Sequence, residues 1–309
     1  MKNMAKRFKD EEFLFTLTTA FKVSLIFVFL TLFALYLIWL ILSINTLFIE
    51  AQTLKGFENI QSIYKDYILS NTIDYIPYLL GFIVLLFLGG IYIAKLLMRP
   101  FKEIEKYCSQ RAEGNQEINY EPDFFSEHKL LTRFSEFFFA YLADIETSKT
   151  LRTSTIPPQY QKIHKPPFDR IFFFHFALMI TIIAISNFIF LVTLLGKLQE
   201  GLMKLVTSVL KDNEISTSFF IGQQEFIFDS LTIALSVVLI LYYFVLAFHL
   251  YGKVSGAVFG FFSTMRSFMK GNYDARVHLL GFNHIRPSGR ALNKYLKTIC
   301  DQYHNKKDS

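Results

Sequence analysis

Residues 252–299 read GKVSGAVFGFFSTMRSFMKGNYDARVHLLGFNHIRPSGRALNKYLKTI. This stretch has the pattern of a helix, an extended connector and a second helix. Apolar residues recur at heptad spacing through the first part, from Val258 to Phe268. Gly271 and Asn272 then predict the end of that helix. Residues 276–279 alternate between polar and apolar side chains, as extended backbone does, and a second amphipathic run occupies 292–299.

Upstream of this stretch, the chain has the composition of a membrane protein. It has 309 residues, 52% of them hydrophobic, and 36 are Phe. Four runs contain no Asp, Glu, Lys or Arg: residues 23–49, 75–94, 171–196 and 230–252. Each is long enough to cross about 30 Å of hydrocarbon at about 1.5 Å per residue. We therefore expect four transmembrane helices in contact with membrane lipid.

The placement of the basic residues predicts the orientation in the membrane. Segments 1–22, 95–170 and 253–309 hold 27 of the 32 Lys and Arg residues, and loops 50–74 and 197–229 hold five. By the positive-inside rule, both termini and the middle segment are cytoplasmic, and the protein is a multi-pass protein of the cell (inner) membrane. This asymmetry explains the net charge of +6, so nucleic-acid binding is not expected.

Polar and small residues inside the spans allow two interpretations each. Asn187 is the one strongly polar side chain near the middle of the third run, and a hydrogen bond to a neighbouring helix is favoured over a substrate path. Gly81, Gly89 and Gly90 in the second run fit close helix contacts and ordinary glycine content equally well.

A second stretch, residues 100–146, matches the opening one in spacing. Pro100 and Gly114 are fourteen positions apart, as are Ala257 and Gly271. After a three-residue insertion, 138–142 aligns with 292–296, and Tyr120 falls where Val277 falls. Because each stretch follows two spans in the same orientation, the sequence predicts a parallel internal repeat of roughly 150 residues.

The connector 271–277, GNYDARV, resembles the "G-D-L-x-A-R-V" connector of HAMP linkers, and 291–293 resembles their "F-N-x-M" second helix. Pro100 fits the proline common near the start of the first HAMP helix. The resemblance implies a parallel four-helix bundle that passes conformational signals from membrane helices to an output. It implies a signal-relay core formed by the heptad residues and connector positions: Phe101, Ile104, Cys108, Gly114, Phe138, Leu142, Val258, Phe261, Met265, Gly271, Val277, Leu292 and Leu296.

The predicted fold is therefore an all-α membrane protein with four transmembrane helices in two parallel repeats, each followed by a cytoplasmic HAMP-like helix–connector–helix. The predicted segments are an N-terminal lead with spans 1 and 2, a degenerate HAMP-like segment, a Pro-rich linker, spans 3 and 4, a second HAMP-like segment and a basic polar tail: 1–98, 99–147, 148–169, 170–252, 253–299 and 300–309. In the family two chains supply the bundle. Here the two segments pair within one chain as a pseudo-dimer, or between chains as a homodimer.

Catalytic motifs are not found. The sequence has no Walker loop, no H-E-x-x-H and no Cys-x-x-Cys, and its seven histidines lack metal-ligand spacing. We expect no enzyme activity, cofactor, metal or disulfide, and we expect Cys108 to be buried as a small apolar side chain. Ten residues follow Ile299, so the output is expected to belong to a signalling protein in trans.

The function predicted from these patterns is non-enzymatic signal transduction, in which HAMP-like bundles relay a conformational change to a separate partner. Two alternatives stay open. A small transporter or channel-like protein would suit four spans and a repeat, although the spans lack charged residues. A membrane scaffold subunit would only dock partners through its cytoplasmic helices.

Overall fold

A computed structural model describes residues 10–52, 60–115, 118–121, 129–163, 170–209 and 214–303. These residues form helices and the turns that join them, and no strand occurs among them. The helices are α1 (Glu11–Gln52), α2 (Ile60–Ala112), α3 (Lys129–Ser148), α4 (Pro158–Gln161), α5 (Arg170–Val209), α6 (Glu214–Met269), a 3₁₀ turn (Asn283–Ile285) and α7 (Arg286–Tyr303). The prediction of an all-helical chain is confirmed for these ranges.

Four of the helices are long and apolar enough to span a membrane, judged by length and composition. The qualifying stretches are Glu11–Ile41, Ile73–Ala112, Phe172–Gly201 and Glu225–Met269. Each contains most of one charge-free run of the sequence, so the four predicted spans are confirmed as long apolar helices. Such a chain is a multi-pass membrane protein by composition.

The chain divides into two compact units. One consists of Ala20–Gly90 and Ile180–Leu246, and it is called the span unit here. The other consists of Met1–Thr19, Ile91–Met179 and Ala247–Ser309, and it is called the bundle unit. Helices α1, α2, α5 and α6 contribute residues to both.

The core of the span unit combines aromatic packing with one buried polar link. Phe27, Phe82 and Phe190 join α1, α2 and α5, with ring centroids 4.4–5.5 Å apart. Asn187, fully buried, donates its Nδ2 to the Tyr243 hydroxyl at 2.8 Å, and that hydroxyl donates to the Val23 carbonyl at 2.8 Å. The interhelical bond expected of Asn187 is therefore present.

Close helix contact explains one of the span glycines. A Cβ built on Gly90 would lie 2.6 Å from the Cα of Ala20, so only glycine allows α1 and α2 to approach this closely. A Cβ on Gly81 would meet no atom within 4 Å, which fits ordinary glycine content.

The bundle unit is built around four helical segments: the C-terminal parts of α2 and α6, together with α3 and α7. Heptad spacing gives each segment one apolar stripe, and the stripes face one another. The rings of Phe101 and Phe261 pack 5.4 Å apart at an angle of 61°. Phe138 and Phe268 form a second edge contact at 6.1 Å.

Candidate functional site

The residues predicted to form the relay core lie inside the bundle unit. The apolar members of the set are at most 5% exposed: Phe101, Ile104, Cys108, Phe138, Leu142, Val258, Phe261, Met265, Val277, Leu292 and Leu296. Cys108, at 0% exposed, occupies a packing position as expected. Burial establishes their packing role, whereas their part in a relay stays a prediction.

The two glycines of the predicted core end their helices in the same way. Gly114 and Gly271 have φ of +91° and +96°. Each donates its N–H to the carbonyl three residues back, and the following Asn donates to the carbonyl five residues back, at 3.0–3.2 Å. This is the Schellman pattern, which favours glycine because it requires a left-handed backbone. The helix end predicted at Gly271 is present, and Gly114, its matching position, ends a helix in the same way.

Each helix end is followed by a connector that contacts the second helix of the same segment. In the second connector, the Asn293 side chain bonds both backbone groups of Val277: its Oδ1 accepts from the N–H at 2.8 Å, and its Nδ2 donates to the carbonyl at 3.0 Å. In the first, Tyr120 packs against Phe139 at 4.7 Å. Residues 116–117 and 122–128 of that connector lie outside the described residues.

The pairs Tyr120–Phe139 and Val277–Asn293 occupy corresponding positions in the aligned stretches. A second pair of corresponding contacts connects the two segments. Phe134 of α3 packs on Phe262 of α6 at 4.6 Å. At the corresponding positions, Ser288 of α7 donates its hydroxyl to Glu105 of α2 at 2.9 Å. The two contacts therefore match in position, although Phe134–Phe262 is apolar and Ser288–Glu105 is polar.

A half-buried ion pair links α2 and α3 near their C-terminal ends. Arg111 of α2 has a side chain only 7% exposed and lies 3.3 Å from Glu146 of α3. Glu146 also accepts a hydrogen bond from the Tyr295 hydroxyl of α7 at 3.0 Å. Burial raises the pKa of Tyr295, so its hydroxyl remains a donor. Sequence reasoning missed this link because residues 111, 146 and 295 carry no local motif.

Within the bundle unit, residues 149–163 of the predicted Pro-rich linker (148–169) follow α3 and pack against α3 and α6. Tyr160 of α4 is 7% exposed and packs against Phe134 at 5.0 Å and Phe262 at 6.2 Å. The Arg266 guanidinium donates to the carbonyl of Ile163 at 2.6 Å and, at 3.4 Å, to those of Tyr160 and Gln161. We call residues 151–163 the strap.

The strap also reaches the second helix end. The Ser154 N–H donates to the Met269 carbonyl at 3.0 Å, and the Tyr141 hydroxyl donates to the Arg152 carbonyl at 2.7 Å. A Cβ on Gly271 would lie 3.0 Å from the Thr153 methyl group. The strap therefore holds α3, α6 and the second connector at their junction.

A buried histidine, His284, lies where the second connector meets α7. The His284 ring stacks on Phe15 of α1 with centroids 4.2 Å apart and planes 6° apart. It is 8% exposed, and its Nε2 has no hydrogen-bond partner among the residues that the structure describes. Burial and the neighbouring Lys253 lower the pKa of His284 to about 4, against a backbone hydrogen bond to Lys253 that raises it.

The described residues contain no group of three or more His, Cys, Asp or Glu side chains suited to a metal ion. Both cysteines are free. No protein-family model matches the chain, and neither curated proteins nor solved structures yielded a match.

Proposed function

We propose that this protein relays conformational signals across a membrane through two HAMP-like segments that pair within one chain, and that it acts without catalysing a reaction. The observation that carries the proposal is the matching of contacts between aligned positions. Phe134–Phe262 and Ser288–Glu105 are corresponding pairs, and both join a first-segment helix to a second-segment helix. Two chains of the family type would make such contacts between protomers.

The same correspondence supports an internal duplication. The helix ends at Gly114 and Gly271 share one hydrogen-bond pattern. Both connectors also contact matching helix positions, Phe139 and Asn293. These positions were aligned by their spacing in the sequence alone, independently of any contact in the structure. A duplicated HAMP-like unit explains why they occur twice in the same order.

Continuous helices supply a route for the signal. α2 runs from Ile60 to Ala112 and α6 from Glu214 to Met269, so each combines an apolar span with a bundle helix. A shift or rotation of either helix would move its bundle segment, and a packed core with two arrangements would convert that motion into a switch. The positive-inside asymmetry supports cytoplasmic termini in a cell (inner) membrane, with a separate protein receiving the output.

Crosslinking tests whether the pairing lies within one chain. In a Cys108→Ala, Cys300→Ser background, Glu105→Cys and Ser288→Cys replace a pair whose polar atoms lie 2.9 Å apart. A short bismaleimide should join them inside a monomer, and the product should keep monomer mass on a denaturing gel. Products exclusively of dimer mass would contradict the intramolecular pairing and indicate a homodimer.

A substitution in the span unit tests the relay itself. Tyr243→Phe removes the hydroxyl that bonds Val23 and Asn187. We expect it to change the rate of the 105–288 crosslink about threefold or more, because the relay couples the two units. Tyr78→Phe removes a hydroxyl from a side chain that is 71% exposed, and it should leave the rate unchanged. Equal rates in all three proteins would contradict a relay.

A further inference from the structure

The outward face of α7 carries a row of basic side chains. Arg286, Arg290, Lys294 and Lys297 are all exposed, and their spacings of four, four and three residues place them on one face of the helix. The opposite face, which includes Leu292, Tyr295 and Leu296, is buried in the bundle unit. We call these four residues the basic stripe. Asp301, exposed one turn later, is the first acidic residue after it on α7.

The basic stripe forms no ion pair within the described ranges, although Asp301 lies four residues after Lys297. By contrast, Arg99, Lys102, Arg111 and Arg152 of the bundle unit each pair with a carboxylate. Like charges four residues apart on a helix repel and destabilise it. α7 therefore carries a repulsive arrangement of exposed charges.

The position of the stripe along the bundle unit favours a protein over a lipid surface. Ser288, near the start of α7, bonds Glu105, which lies ten residues after Lys95 on α2. Ten helical residues span about 15 Å. Lys95 is the first charged residue after the second apolar run. At physiological ionic strength charges are screened over about 8 Å, so anionic headgroups act weakly on Arg290, Lys294 and Lys297, which follow Ser288. Arg286 lies nearer the apolar run, because His284, two residues before it, neighbours Lys253.

We propose that the basic stripe docks an acidic helix of a separate protein, one whose carboxylates repeat with the same spacing of four, four and three residues. The stripe runs over twelve residues, 286–297, and its first and last members lie about 16 Å apart along the helix, which suits a partner helix lying alongside α7. Complementary charge of this kind sets partner choice and association rate. The inference rests on the proposed function, because it names the class of partner that receives the relay.

Binding of a defined probe tests the proposal. The full chain is placed in nanodiscs of neutral phosphatidylcholine, and a fluorescent helical peptide carries four Glu at the matching spacing. A second peptide has the same composition with its Glu spread around the helix. We expect saturable binding of the first peptide, about tenfold tighter than of the second, and weakening as salt rises.

Two matched quadruple variants distinguish the effect of the basic stripe on peptide binding from the effect of net charge. R286Q/R290Q/K294Q/K297Q should weaken binding of the matched peptide about tenfold or more. The control K106Q/R133Q/K162Q/K270Q removes four exposed cations scattered over the bundle unit, and its affinity should stay within about twofold. Retention of the 105–288 crosslink in the stripe variant shows that the bundle unit is intact, so loss of binding can be told apart from loss of the relay.

Three outcomes would overturn the proposal. Equal weakening by both quadruple variants would show that only net charge matters. Equal affinity for the two peptides would show that spacing is not recognised. Displacement of the peptide by phosphatidylglycerol vesicles or a duplex oligonucleotide, at a lower concentration than unlabelled peptide requires, would assign the stripe to a different class of partner.

Discussion

At the scale of single residues, Gly114 and Gly271 form a natural matched pair. Both hold a left-handed backbone at a helix end. A Cβ on Gly114 would meet no atom within 4 Å, whereas one on Gly271 would lie 3.0 Å from the Thr153 methyl group. Substitution by Ala therefore imposes the same backbone strain at both positions and adds a steric contact at one.

We expect Gly114→Ala to lower the free energy of unfolding by about 1–2 kcal/mol, the cost of a left-handed conformation with a Cβ. Gly271→Ala should cost about 1 kcal/mol more because it also crowds the strap. Thermal unfolding in detergent, followed by circular dichroism, measures both.

Thr153→Ser serves as the control, because it removes the methyl group that Gly271→Ala would crowd. The double variant G271A/T153S should unfold close to G114A. If G271A alone already matches G114A, the strap is not in contact with the second connector.

His284 makes the bundle unit sensitive to acid. Its pKa falls from an ordinary 6.5 to about 4 in the folded chain. Between these values the unfolded state binds more protons, so the stabilising contribution is present above pH 6.5 and is lost as the pH falls toward 4. Lys253 is the charged neighbour that opposes protonation, and Phe15 covers the ring.

His284→Phe should flatten this pH dependence while it preserves an aromatic ring beside Phe15. The measurement is the unfolding midpoint of both proteins at intervals from pH 7 to pH 4.5. Carboxylates titrate in both, so the difference between the two curves isolates the histidine. A constant difference across this range would mean that His284 is not shielded in the folded protein.

At this scale the sequence predicted less than the structure contains. Gly271 could be identified as a helix end because glycine followed by Asn is a local signal. The Arg111–Glu146–Tyr295 link could not, since its members lie 35 and 149 residues apart and only the folded chain brings them together.

At the scale of elements, the strap changes the interpretation of the linker. Its prolines and polar residues predicted a linker between the two repeats, and its composition gives no sign of packing. The structure nevertheless buries Ile156 and Tyr160, at 5% and 7% exposed. Two aromatic side chains from α3 and α6 create the surface that Tyr160 covers, and such a surface exists only once the bundle unit has formed.

Arg266→Gln should release the end of the strap, because the guanidinium bonds three of its carbonyls. Limited trypsin digestion reports this at Lys162, which is exposed beside α4. We expect cleavage after Lys162 to become about threefold faster or more, since proteolysis follows local opening.

Lys270→Gln is the matched control for the strap experiment, because it removes an exposed cation four residues further along the chain. It should leave cleavage after Lys162 at the original rate. The same rate in Arg266→Gln would show that other contacts, such as Tyr160, hold the strap without Arg266.

At the scale of the whole molecule, the bundle unit requires both halves of the chain. α2 and α3 precede the strap, whereas α6 and α7 follow it. Long charge-free runs made four apolar helices predictable, since membrane length and composition leave few alternatives. Heptad spacing also predicted which faces are buried. Which helix packs on which depends on contacts between distant segments, and the sequence left the choice between one chain and two open.

Two fragments, 1–165 and 166–309, should therefore assemble when they are expressed together. We expect a tag on one fragment to recover the other at equal amounts after detergent extraction. Each fragment alone should be degraded or aggregate, because half of the bundle unit exposes its apolar stripes. Stable single fragments that pair only with copies of themselves would indicate a homodimer.

The contact between Phe101 and Phe261 has one more consequence, for gene dosage. A bundle assembled from separate protomers dissociates on dilution, so its populated state depends on expression level. Under the proposed pairing within one chain, both aromatic rings belong to one polypeptide. The folded fraction of the bundle unit should therefore be the same in a cell with few copies as in one with many.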